Sequence, residues 1–183
     1  MTKQALRTTA KGLALLSLLL ALAQVSSGQT VRPVPKLDLT RFTGAWYIVA
    51  RQPNKREKDC VSDSFVEIAL ADKPNRFQLV NACRVKTGEM VANNASGKQN
   101  KNGDGKLRAS YLWPFSTKYW VLALGPEYAW ALVGSPNHKN LWVFSRTTAL
   151  PPEVLSEIEA QAVSQGFDTS KLVSQPQENI FKP

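Results

Sequence analysis

The chain has 183 residues and a formal net charge of +9, room for one compact domain and a removable terminus. One histidine, His138, and two cysteines, Cys60 and Cys83, leave too few ligands for a metal site and no evident base beside a nucleophile. The positive charge favours anionic partners, but no basic segment is interleaved with exposed aromatics, so nucleic acid is not an expected partner.

Lys3, Arg7 and Lys11 precede an apolar run from Gly12 to Ala23, broken only by Ser17. The run is too short to span the ~30 Å hydrocarbon core of a bilayer. Basic start, apolar middle and the small-x-small exit Ala21-Leu22-Ala23 make residues 1–23 a secretory signal. A second exit after Ser26-Ser27-Gly28 sets cleavage between 23 and 28. Gln24 or Gln29 then stands first, where a lipid anchor needs cysteine. The expectation is an exported, soluble protein, periplasmic or secreted and not lipid-anchored. Without the three N-terminal cations, 20 basic residues face 14 acidic ones, a net of +6. These are spread along the chain, and Lys55, Arg56 and Lys58 form the densest cluster.

Residues 24–36, with Pro33 and Pro35, read as an extended lead-in, 37–175 as the domain and 176–183 as a tail. Within the domain, short β-type runs recur between turn signals. They are Trp46–Ala50, Ser62–Leu70, Phe77–Arg84, Met90–Gln99, Leu107–Trp113, Tyr119–Leu124, Tyr128–Gly134 and Leu141–Ser145. The run Asn100 to Gly105 has the chemistry of a tight hairpin turn. A calcium loop there would need a distal Glu and flanking helices, which are lacking. The last three strands are apolar on both faces, so one face needs a cover. Pro151-Pro152-Glu153 begins a helix over about 151–165, with Val154, Leu155, Ile158, Ala162 and Val163 at helical spacing and Gly166 ending it. The expected fold is all-β with one helix: an eight-stranded antiparallel up-and-down β-barrel with a C-terminal amphipathic α-helix outside it. Such a barrel leaves space for one small ligand. In an exported chain Cys60 and Cys83 are expected to form a disulfide, worth roughly 3 kcal/mol by chain entropy.

Phe42-Thr43-Gly44-Ala45-Trp46-Tyr47 resembles the opening of a lipocalin first strand. Three later stretches extend the resemblance to bacterial outer-membrane and apolipoprotein-D-like lipocalins: Leu107 to Phe115, Tyr128 to Pro136, and Leu141 to Thr147. Gly166 to Lys171 resembles the segment after their helix. The resemblance implies that Trp46 plugs the closed end, that Gly44 lets the chain turn beneath it, and that Arg146 lies across the indole. The chain departs from the pattern at Gly125-Pro126-Glu127, where relatives carry an aspartate.

If Trp46 points inward, strand alternation sends Ile48 and Ala50 inward too. The same parity selects Val66, Ile68, Leu79, Tyr111, Tyr119, Val121, Trp142 and Phe144. This apolar and aromatic lining suits a mainly hydrocarbon ligand such as a fatty acid or lysophospholipid. Lys55, Arg56 and Lys58 lie in the first long loop, which in the family resembles a flap at the open end. There they could meet a ligand headgroup or, transiently, an anionic membrane surface. The expected function is binding, storage or transport of this ligand, without a cofactor and without catalysis. The alternatives are a pigment or haem carrier, a barrel thiol enzyme, and an interaction module whose barrel is filled solid.

Overall fold

The computed structural model describes residues 29–178; the expected signal segment and the last five residues lie outside them. Eight strands form the barrel: β1 Gly44–Arg51, β2 Cys60–Leu70, β3 Arg76–Val85, β4 Met90–Gln99, β5 Lys106–Leu112, β6 Phe115–Leu124, β7 Trp130–Gly134 and β8 Leu141–Ser145. Each pairs antiparallel with the next, and β1 closes the barrel by pairing with both β2 and β8. Closure covers most strand edges, but β4 pairs with β5 only over Ser96–Gln99, so Met90–Ala95 are laddered to β3 alone.

The apolar side chains divide into two cores. Inside the barrel lie Phe42, Trp46, Ile48, Val66, Ile68, Phe77, Leu79, Leu107, Val133 and Phe144. Outside it, Leu122, Leu132, Leu141 and Val143 pack beneath Ile158 and Ala162 of a helix, α2 (Pro152–Ser164). Thus β7 and β8 are buried at every position because one face meets the interior and the other meets α2. Pro152 opens this helix without needing its N–H, and Glu153 sits favourably in the first turn.

The lead-in crosses the closed end, where Val34 N–H donates to Val121 O at 2.8 Å and Leu37 N–H to Gly103 O at 2.8 Å. A single helical turn, α1 (Leu39–Phe42), follows and is capped by the Asp38 carboxylate. After α2 the chain returns as a short strand, β9 (Val173–Ser174), on the upper part of β1. Gln175 N–H then donates to Val49 O and Asp63 N–H to Pro176 O, so this segment fills the gap where β1 and β2 diverge.

Two placements differ from the alternation read in the sequence. Ile48 pairs with Phe144 but Ala50 pairs with Val143, an extra residue on β1. This bulge turns Ala50 outward into the core beneath α2 and turns Arg51, opposite Trp142, inward. Likewise β5 ends at Leu112, one residue short of the expected run Leu107–Trp113, and Trp113 is 87% exposed.

Candidate functional site

The closed end is built from chain that doubles back on itself. Gly44 adopts φ +90°, and a Cβ there would sit 3.4 Å from the Arg146 guanidinium. Trp46 is fully buried and its Nε1–H donates to Phe42 O at 2.9 Å. Arg146 stacks 3.5 Å from the centre of the Trp46 ring and donates to Ala45 O (2.7 Å), Thr43 O (2.9 Å) and Arg41 O (3.0 Å). Burial lowers the pKa of Arg146, yet three carbonyls and an aromatic face hold its charge. Where the chain departs from the family pattern, Glu127 takes φ 48° and pairs with Arg41. That pair is exposed and adds little stability; Gly125 N–H to Trp130 O at 2.9 Å closes the turn.

The opposite end opens into a funnel of ≈ 870 Å³. Its walls are Tyr111, Tyr119 and Trp142, the disulfide between Cys60 and Cys83, and the tip residues Leu112 and Phe115. Lys55, Arg56 and Lys139 stand at the rim. Arg56 lies 5.6 Å from the Tyr111 ring centre and donates to Thr117 Oγ1 at 2.9 Å. Below the funnel is a chamber of ≈ 40 Å³ among Ile48, Val66, Ile68, Leu79, Phe77 and Phe144. That is room for a water or two, or for the end of a chain, and not for a whole chain. Phe77 lies across Gly97 on the neighbouring strand, where a Cβ would come within 2.1 Å of its ring.

Glu57 stands where the two spaces meet, lining both. Trp142 Nε1–H donates to its carboxylate at 3.1 Å, Asn54 Nδ2–H at 2.6 Å and Asn81 Nδ2–H at 3.4 Å. Arg51 is 4% exposed, with its Nε 3.7 Å from the same carboxylate, and donates through Nη2 to Glu57 O and Cys60 O. Burial lowers the Arg51 pKa and the Glu57 charge opposes that shift. Burial, reinforced by Tyr111, pushes the Tyr119 phenol up, so it remains a neutral hydroxyl at physiological pH.

Of the sequence-selected lining, Tyr111, Tyr119 and Trp142 reach the funnel, and Ile48, Val66, Ile68 and Leu79 reach the chamber. Val121 is inside but fully buried in the packing below the chamber. Lys55 and Arg56 reach the rim; Lys58 does not line the funnel. Alternation and charge patterning do not select Glu57, Arg51 or Asn81, which the structure brings to this site. Glu57 sits among Lys55, Arg56 and Lys58, in a loop whose sequence is dominated by basic charge. His138 packs against Phe167, ring centres 4.9 Å apart, with Nε2 2.9 Å from Gln165 O. It therefore braces the end of α2, and both cysteines are consumed by the disulfide.

An eight-stranded antiparallel barrel with an indole plug under a stacked arginine, one outer helix and an open funnel is the architecture of a small-ligand carrier. A lipocalin-like domain matches residues 37–177, and the chain belongs to that family, whose members bind small hydrophobic ligands. It is 31% identical over 149 residues to the outer membrane lipoprotein Blc of Vibrio cholerae, covering 79% of this chain and 85% of that protein. It is 28% identical over 153 residues to apolipoprotein D of Mus musculus, with 78% of each chain covered. Among solved structures, insecticyanin from Manduca sexta superposes with a TM-score of 0.66 at 22% identity, covering 81% of this chain and 85% of that one. No helix among the described residues is long and apolar enough to cross a membrane.

Proposed function

We propose that this protein is an exported carrier that binds one fatty acid or lysophospholipid in the funnel. The observation that carries this reading is the funnel itself: ≈ 870 Å³, within the range of small-ligand sites, with aromatic walls, a basic rim and an apolar chamber beneath. The chain lies along Tyr111, Tyr119 and Trp142 with its end at the chamber, and its headgroup meets Lys55 and Arg56. Because the chamber is small, discrimination is by the width of the funnel and the charge at the rim.

Each methylene removed from water contributes about 0.8 kcal/mol, so a long acyl chain gains roughly 10 kcal/mol before ordering costs. A bilayer offers the same chain nearly the same gain, so exchange between membrane and barrel is close to balanced. The rim supports direct loading from an anionic lipid surface. Leu112, Trp113 and Phe115 are 71%, 87% and 72% exposed beside the basic side chains, an arrangement suited to the interfacial layer of a membrane.

Native mass spectrometry of the protein after exposure to a lipid extract tests this directly. The expected spectrum shows one bound acyl lipid per chain. A barrel that stays empty through a fatty-acid and lysophospholipid titration overturns the reading, and a visible absorption band in the purified protein redirects it to a pigment or haem.

A further inference from the structure

The outer wall near the closed end carries a second concavity, a groove of ≈ 650 Å³. Arg76 on β3, Lys98 on β4, Arg108 on β5 and Lys118 on β6 line it together with Lys73, Lys101 and Lys106. The first four are not merely close. Arg76 is the direct cross-strand partner of Lys98, Lys98 of Arg108, and Arg108 of Lys118. All four are exposed, and none is in a salt bridge among the described residues. Neighbouring strands lie about 4.8 Å apart, so the row places four positive charges over about 15 Å.

Like charges directly opposite each other on a sheet destabilise it. Nearby carboxylates give the row little relief. Asp104 accepts from Lys106 N–H, Asn100 and Asn102, and its ion-pair partner is Lys106 at 3.6 Å. Asp72 borders an adjoining shallow groove with Lys73 and Arg76. A cation row that opposes folding, set in a concave surface, is the signature of a site for a negatively charged chain.

We propose that this groove binds a linear acidic glycan, one bearing sulfate or phosphate groups at regular intervals. A concave track suits a chain better than the plane of a bilayer. A single nucleic-acid strand calls for exposed aromatic faces on which bases stack. The aromatic side chain here, Trp120, is half-buried and has the Lys106 ammonium 5.4 Å from its ring centre. The groove lies at the end of the barrel opposite the funnel, so both sites can be occupied together, and the inference stands independently of the lipid reading.

The test uses the full chain and heparin fragments of graded length as the linear sulfated probe, with oligothymidylate and phosphatidylglycerol vesicles as competitors. Heparin is expected to bind with a steep salt dependence and to gain affinity with length only until the row is spanned. The double variant Lys98→Glu with Arg108→Glu is expected to weaken it about tenfold or more. The double variant Lys58→Glu with Lys86→Glu, an equal charge change at the funnel end of the barrel, is expected to weaken it less than about threefold. Lys98→Glu alone should raise the thermal midpoint by about 2 °C, since it replaces two repulsive neighbours by attractive ones. Equal losses from the two double variants, stronger competition by oligothymidylate or vesicles, or a lowered midpoint for Lys98→Glu would each overturn the proposal.

Discussion

The two ends of the barrel solve opposite problems with the same kinds of residue. At the closed end the large rings of Phe42 and Trp46 sit 5.2 Å apart, and the Arg146 charge is met by backbone carbonyls of the chain that turns beneath it. At the open end Tyr119 and Trp142 are as close, 5.3 Å, but they wall an empty space, and the buried Arg51 charge is met by a carboxylate delivered from a loop. Rings packed on rings supply stability; rings left facing a void supply a surface for a ligand. The closed end is therefore where substitutions are expected to unfold the protein, and the open end where they are expected to change binding.

The largest stability effect is expected at the plug. Trp46→Ala removes a fully buried indole and the face on which the Arg146 guanidinium stacks, with a loss of about 3–5 kcal/mol in urea unfolding. Replacing Cys60 and Cys83 together by serine comes next, at about 2–4 kcal/mol. Their bridge ties β2 to β3 beside the funnel, so a lower urea midpoint with the closed end still native-like would mark it as a brace for the open end. Glu57→Gln keeps the shape of the side chain but leaves Arg51 buried without its counter-charge, a loss of about 2 kcal/mol; an unchanged thermal midpoint would show that the loop is not held by that pair. Tyr111→Ala is expected to cost only about 1 kcal/mol of stability while weakening fatty-acid binding about tenfold. A variant that loses stability and affinity in the opposite proportion would erase the distinction between the two ends.

The smallest effect is a pH dependence seated in the closed-end turn. Burial pushes the Asp104 carboxyl up, but hydrogen bonds from Lys106 N–H, Asn102 and Asn100 and the Lys106 charge outweigh it and hold the group below the usual carboxylate range. A depressed pKa in the folded state means that the stabilisation is present above the unfolded value, near 4, and is lost as the pH falls through the folded one. Asp104→Asn should flatten that part of the acid limb in thermal melts between about pH 5 and pH 2. An acid limb identical to that of the parent protein would remove Asp104 from the account.

Much of this architecture is legible in the residue order because it depends on local rules. Alternation and turn chemistry mark the eight strands, helical spacing marks α2, and the doubly apolar Leu141–Ser145 demands an outer cover that α2 provides. Register is not local. The bulge near Val49 shifts the parity of β1 after Ile48, which is why Ala50 faces outward and Arg51 inward. The row from Arg76 to Lys118 is scattered over more than forty positions of sequence and becomes a row only when four strands are aligned. Glu57 is a single acid in a basic loop, and its place at the mouth of the chamber follows from how that loop folds over the rim. The volume of the interior is likewise a property of packing: the same inward residues that promise a cavity by parity fill the lower barrel down to ≈ 40 Å³.

If the open funnel, and not the packed lower barrel or the outer wall, holds the acyl ligand, a crystal structure of the protein grown with palmitate will show it there. One acyl chain is expected between Tyr111, Tyr119 and Trp142, with its end reaching the chamber beside Glu57 and the Trp46 plug unmoved. A chain seated outside the barrel, or an interior left unchanged at saturating palmitate, would contradict it.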